Sequence, residues 1–446
     1  MSQVHARSRR RLARERPSPS PSVETDVRLI LPLSPLGLPS EESFFMSHYL
    51  ENVARLALAI DYDQNGYRSL LSMAMQDAAL LNAMLAVGAS HYGRWQNNHE
   101  TVSRKYLREA LKALSDRFSH PELVSKQTTL AVMLCLVSFE VFSGSVRWRP
   151  HYEAIRGWVL SRGDCSDLDP FLKTWVCMID TQCALNLGQP AMKEVQTWMD
   201  DNVASNGREH SVDALFGCSR ELPTLMVRIL ETNVSMKVIG SCKIQCIASQ
   251  LHAESVNGQL SAEGVLPRAK ALQEQIRATE MDMSSEPAIS IVCSKTTQSS
   301  YLATVCLDKE DFRRRMVATA EIFRHAAHIY VYRTAYGARV PLTGDMRGSL
   351  ETALKLLTVV PDAIGPGANL GWCLVVIGAE LDLKDQRDYI RSRWSRMHLL
   401  GMYNSKSGQR ILEEVWTHRD LVGRGKAPAK SWQEIMQNMG ECQILL

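Results

Sequence analysis

Apolar positions recur three and four residues apart along most of the chain, the spacing that gives a helix one buried face. Phe45, Tyr49, Val53, Leu56 and Ile60 form the first such stripe, behind Ser40 as a helix cap and Glu41 and Glu42 in the first turn. The stripe returns at Leu80, Leu81, Met84, Leu85 and Gly88, then at Tyr106, Leu107, Ala110, Leu111, Leu114 and Phe118. Between Thr129 and Phe142 nearly every position is apolar or small, which predicts a helix buried on most sides, with Glu140 its one charge. Further helices are expected over Asp167–Leu187, Ser219–Leu230, Ser261–Ala278, Asp311–Thr334, Asp345–Val360, Leu370–Leu383 and Lys384–Met397. No series of alternating strands stands out, so the expected fold class is all-α, a large multi-helix bundle or an irregular array of helix pairs. No repeat of fixed period is present, which disfavours a solenoid of identical units.

Composition changes this picture mainly at the N-terminus. RSRRRLARER at Arg7–Arg16 is followed by PSPSPS at Pro17–Ser22 and by further prolines at 32, 35 and 39. Such sequence buries too little apolar surface to order itself. The expected organisation is a disordered Arg-rich and Pro/Ser-rich tail over residues 1–39 and a helical body over 40–446. Polar stretches at Gly188–Gly207 and Met281–Ser300 read as long connections.

The chain is 45% apolar and 22% charged, an ordinary globular mix. Its 51 Lys and Arg against 48 Asp and Glu leave +3, too balanced for the whole surface to grip a polyanion. The densest apolar run, Leu130–Val137, is far shorter than the roughly 18 residues a membrane span needs. No apolar segment follows the N-terminal arginines, so a secretion signal is not expected. With an odd count of 11 scattered cysteines, reduced and buried thiols in an intracellular, reducing compartment are expected, rather than a disulfide framework.

Each motif that could carry chemistry has a plainer reading. Zinc sites are announced by paired Cys-x-x-Cys spacings, and the nearest approaches here, Cys242 with Cys246 and Cys177 with Cys183, have no second pair beside them. Glu321, His325 and His328 fall at i, i+4 and i+7, a spacing that suits metal ligands on one helix face. Their neighbours Phe323, Ala326, Ala327, Ile329 and Tyr330 favour packed histidines instead. Gly365, Pro366, Gly367 and Gly371 resemble a phosphate loop only loosely and read as a turn ahead of a helix. Ser90 and His91 adjoin within GASHYG, but neighbours on a helix point apart, so helix packing by small residues explains them better than a nucleophile and its base. Arg7, Arg9, Arg10, Arg11, Arg14 and Arg16 make the one strong charge asymmetry, suited to a nuclear import receptor or nonspecific phosphate contacts. A solvated tail without a partner is the plainer alternative.

Six segments, taken together, resemble the regulatory domain of fungal Zn2Cys6-type transcription factors, the fungal-specific transcription factor domain 2. They are LLNAMLAVGASHYGRW (Leu80–Trp95), SRKYLREALKALSDRF (Ser103–Phe118), TTLAVMLCLVSFEVFSG with WRPHYEAIRGWV (Thr128–Val159), AEIFRHAAHIYVYRT (Ala320–Thr334), LGWCLVVIGAEL (Leu370–Leu381) and ILEEVWTHRD (Ile411–Asp420). The resemblance runs from about Phe44 to the C-terminus. It implies that His325 and His328 lie in a core helix, and that Gly371 and Trp372 belong to a packed element. The family's six-cysteine DNA reader has no counterpart in this sequence, whose first cysteine is Cys135. Either the gene product naturally lacks it, or the gene's assigned reading frame has lost its first exon. Regulators of fungal secondary-metabolite clusters, the trichothecene type among them, combine this domain with no zinc cluster, and the chain resembles them in size and layout.

The resemblance implies a nuclear transcriptional regulator controlling a biosynthetic gene cluster, without catalysis, cofactor or metal of its own. Expected partners are other transcription factors or co-regulators, a homo- or heterodimer mate, a small-molecule effector, and DNA through weak nonspecific contact, but no membrane. Two alternatives stand beside it. One is a metabolite-binding protein or enzyme with an inter-helix pocket near Glu140, Trp158 or His325; the other is an adaptor that dimerises with a zinc-cluster factor.

Overall fold

The computed structural model describes residues 37–56, 66–96, 101–187, most of 191–198, four positions between 270 and 276, and 309–440 except 362, 364 and 368. Among these residues every regular element is helical and none is a strand. The arginines at 7–16, the cysteines at 242 and 246, the expected helix 219–230 and the connection 281–300 lie outside the described residues, as does most of the expected helix 261–278.

The N-terminal half begins with α1 (Ser40–His48), which runs through a π-turn (Tyr49–Val53) into the short α2 (Ala54–Leu56). Ser40 does not cap it. Pro39 holds the cap position with extended backbone, and its carbonyl accepts the first helical bond from Ser43 N at 2.8 Å. Proline's fixed φ and missing N–H suit a helix start, so the cap falls one residue before the serine. Next come α3 (Gly66–Ala74), α4 (Ala78–Trp95), α5 (Thr101–Arg117), α6 (Pro121–Val124), α7 (Gln127–Phe142), α8 (Trp148–Arg162) and α9 (Pro170–Leu187). Asp77 starts α4, accepting from Ala79 N and Leu80 N at 3.1 Å each while pairing with Arg117. Helix α7 is buried at every position from Thr129 to Phe142, as its all-round apolar sequence predicts, and it packs between α4 and α8.

The C-terminal half contains α10 (Lys309–Tyr336), α11 (Gly344–Val359), α12 (Gly371–Gly378), α13 (Lys384–Leu399), α14 (Asn404–Gly423) and α15 (Trp432–Asn438). Its centre is α12, buried at all eight positions, with Trp372 beside Tyr330 and Phe323 of α10. The stretch Leu370–Leu383 is thus a shorter helix than its sequence predicts. It ends at Gly378, whose carbonyl accepts Trp416 Nε1 at 2.7 Å, and the polar Glu380 and Asp382 that follow meet arginines of other helices.

A polar seam joins the halves. His91 of α4 bonds the Leu400 carbonyl at 2.9 Å, Arg94 Nε donates to Gly401 O at 2.9 Å, and Tyr403 N donates to Phe142 O at 2.9 Å. Gly401 has φ +78°, and a Cβ there would come within 3.2 Å of His91 Nε2, so a bare backbone is what lets the turn approach α4.

Candidate functional site

A recess with both apolar and charged walls lies in the C-terminal half, with a volume of about 870 Å³. It opens between the last turns of α10, the start of α11, the α12–α13 turn, the end of α14 and α15. Its wall is built outward from Arg333. This arginine sits in the apolar sequence IYVYRT, and its fork grips Glu380 through Nε and Nη2 at 2.7 and 2.6 Å. Two parallel charge-assisted bonds fix both position and orientation. The remaining nitrogen, Nη1, donates to the Gly337 and Val340 carbonyls at 3.2 and 2.5 Å.

That second grip sets the loop after α10. Gly337, with φ +78°, turns the chain, Tyr332 OH donates to Pro341 O at 2.7 Å, and Thr343 Oγ1 then caps α11 by accepting from Met346 N at 3.3 Å. The loop over the recess is therefore tied at both ends. Opposite, Arg419 of α14 reaches Glu380 Oε2 at 3.4 Å and Asp382 Oδ1 at 2.9 Å. Glu380, only 8% exposed, is the shared anion between α10 and α14. Low exposure of the carboxylate makes its two guanidinium partners mutually dependent, because losing either leaves charge poorly compensated.

The interior is apolar around Ile329, Val376 and Val415, with Trp432 of α15 at one side. Tyr330 brings a phenol whose burial pushes its pKa well above the usual range, so it stays a neutral hydrogen-bonding group. At the mouth stand Val340 and Leu383, 38% and 64% exposed. A recess of this volume with apolar positions and fixed polar groups falls in the size range of small-molecule sites.

The recess is not where the sequence placed one. Glu140 and Trp158 lie in the N-terminal half and His325 is outside the lining, one to two turns back along α10 from Ile329 and Arg333. The stripe Glu321, His325 and His328 does share α10, but Glu321 is held by Arg324 and His328 Nδ1 meets Ser349 Oγ of α11 at 3.1 Å. Burial and the nearby Arg324 charge lower the pKa of His325. No group of three His, Cys, Asp or Glu side chains is gathered as a metal site among the described residues. Gly365–Gly367 forms a single 3₁₀ turn ahead of α12. The five described cysteines, 135, 165, 177, 183 and 373, are buried; burial pushes the Cys135 thiol up to about 12, which disfavours the thiolate a metal or nucleophile needs.

Ser90 and His91 face different partners, as neighbours on a helix must: Ser90 Oγ accepts from Arg94, and His91 Nδ1 meets His48 Nε2 at 2.8 Å. Sequence reasoning missed this buried histidine pair, as it missed the trio Arg333, Glu380 and Arg419. The available signal was a lone charge or imidazole inside an otherwise apolar helical run, as in IYVYRT and LVVIGAEL.

Comparison with known proteins gives this all-helical body its family. The family model described as the fungal specific transcription factor domain matches residues 43–443, and the chain belongs to that family. It is accordingly a transcriptional regulator. No curated protein and no solved structure matches it. Among the described residues no helix is long and apolar enough to cross a membrane.

Proposed function

We propose that the chain acts in the nucleus to control a fungal biosynthetic gene cluster, with residues 40–446 as the control body and the recess around Arg333 and Glu380 as its effector site. The observation that carries this reading is the family match over residues 43–443 together with a preformed cavity inside that span. A ligand that binds one helical packing better than another shifts the balance between them, and about 1–3 kcal/mol is a usual coupling. The tail arginines at 7, 9, 10, 11, 14 and 16 serve nuclear import or weak DNA contact. Promoter choice comes through other transcription factors or co-regulators, a dimer mate among them.

Transcript profiling after deletion of the gene tests the first part. Silencing of one contiguous set of biosynthetic genes is expected, and a profile without any clustered change overturns the reading. Removal of residues 1–22 from a tagged chain should lower the nuclear fraction severalfold while the far-ultraviolet helical signal per residue of the body persists. Unaltered localisation removes the tail from the mechanism.

A further inference from the structure

We infer that the recess takes an elongated apolar molecule carrying one anionic head group, an amphipathic organic acid. The inference rests on reading this recess as the effector site and adds the chemistry of the effector. Five cations and four acids line it, but they are not equally engaged. Glu380 and Asp382 are held by Arg333 and Arg419, and Glu434 closes a capping box with Ser431, whose N–H it accepts at 2.7 Å. Arg333 and Arg419 are neutralised in the same exchange.

Three cations remain, Arg339 and Arg347 on the α10–α11 side and Lys430 before α15, and all three are exposed. None makes an ion pair or side-chain hydrogen bond with another described residue. Among the described residues two acids are left without a cation: Glu434, in its capping box, and Glu351, one turn beyond Arg347 and beyond ion-pair distance of it. The lining therefore carries a small positive excess, three exposed cations against Glu351 and Glu434, beside its apolar positions.

Each part selects chemistry. A chain or ring system entering past Val340 and Leu383 gains from leaving water at roughly 25 cal/mol per Å² of apolar surface. A polyanion would demand more cations than the mouth presents and would have to desolvate against Glu351. A cation would meet three like charges against the two acids Glu351 and Glu434. A single carboxylate or sulfonate leaves its tail in the apolar part and its head at the mouth, where it is partly hydrated and paired.

The test uses the full chain and three probes of one tail length: decanoate, decan-1-ol and decylamine, each below its aggregation limit, by titration calorimetry. Decanoate should bind at least tenfold more tightly than decan-1-ol, and decylamine most weakly. The double variant Arg347→Glu/Lys430→Glu changes only exposed side chains without side-chain bonds, so its fold should persist, as circular dichroism will report. It should weaken decanoate at least tenfold, leave decan-1-ol within about twofold and strengthen decylamine. Equal affinity of decanoate and decan-1-ol, an unchanged order in the double variant, or no binding of any probe overturns the inference. Transcript profiling is independent of this outcome: acid-selective binding without any clustered expression change refutes the regulatory reading alone, and the reverse pattern refutes the ligand class alone.

Discussion

A carbonyl oxygen can only accept, so His91 must donate through Nε2 to Leu400 O, and this one bond fixes two tautomers. A neutral His91 then accepts at Nδ1, so His48 donates through Nε2 over 2.8 Å. His48 in turn accepts at Nδ1 from the Asn52 amide at 3.1 Å. Protonating either ring breaks a link, because an imidazolium has no acceptor. Burial lowers the pKa of His48 from 6.5 to about 4; His91 is held well below 6.5 by burial first, then by the charges of His48 and Arg94. Tyr92 and Trp95 pack their rings against His48 and bring no compensating anion. A depressed folded-state pKa means the unfolded chain binds the proton more readily, so stability is full above about pH 6.5 and is lost as pH falls toward 4. His48 alone should contribute a loss of about 2 kcal/mol by pH 5. Urea titrations at pH 7.5 and 5.0 measure it, and His48→Gln should flatten the difference. An equal drop in that variant would place the acid sensitivity elsewhere.

At the scale of elements, the helices with the simplest patterns were the most legible. Helix α7 could be read as buried all round because no polar face interrupts it, and the stripes of α4 and α5 fall on those helices, although α4 runs on past Gly88 to Trp95 and α5 begins ahead of Tyr106 at Thr101. The recess could not be read, since Arg333 and Arg419 lie 47 and 39 residues from Glu380, and helical spacing says nothing about which helix ends converge. Gly88 shows what pattern does convey: it lies on the apolar stripe of α4, and a Cβ there would come within 2.5 Å of Phe45 O and 3.3 Å of Tyr49 Cβ. Replacing it by alanine improves helix propensity by up to about 1 kcal/mol. Pushing backbone apart in a packed contact costs typically about 1–3 kcal/mol, so the clash should win. Gly88→Ala is expected to lower stability by about 1–2 kcal/mol in urea unfolding. Gly157→Ala in α8 is the control, because nothing lies within 4 Å of the methyl group it would add and only the propensity gain applies. A stabilised Gly88→Ala would show that α1 and α4 are not held at this distance in solution.

Across the whole molecule, the seam makes the two halves depend on each other. Its bonds join positions more than 300 apart, Arg94 to Gly401 and His91 to Leu400. Closure entropy grows only logarithmically with loop length, so such a contact is tolerated once the helices on either side are formed. Arg94 is the densest node: it is 4% exposed, donates to Gly401 O and to Ser90 Oγ, and lies 5.8 Å over the Tyr403 ring. Arg94→Met keeps much of the length of the side chain and removes its donors, leaving buried acceptors unsatisfied at about 1–3 kcal/mol. If the seam couples the halves, that loss cannot stay local. Hydrogen exchange should accelerate about tenfold or more at the Tyr403 amide, which donates to Phe142 O, and in step at the C-terminal turns of α4 and α7. A rise confined to residues 400–404, with α4 and α7 as protected as before, would mean that the halves open independently and that binding in the C-terminal recess has no route through this seam to the N-terminal helices.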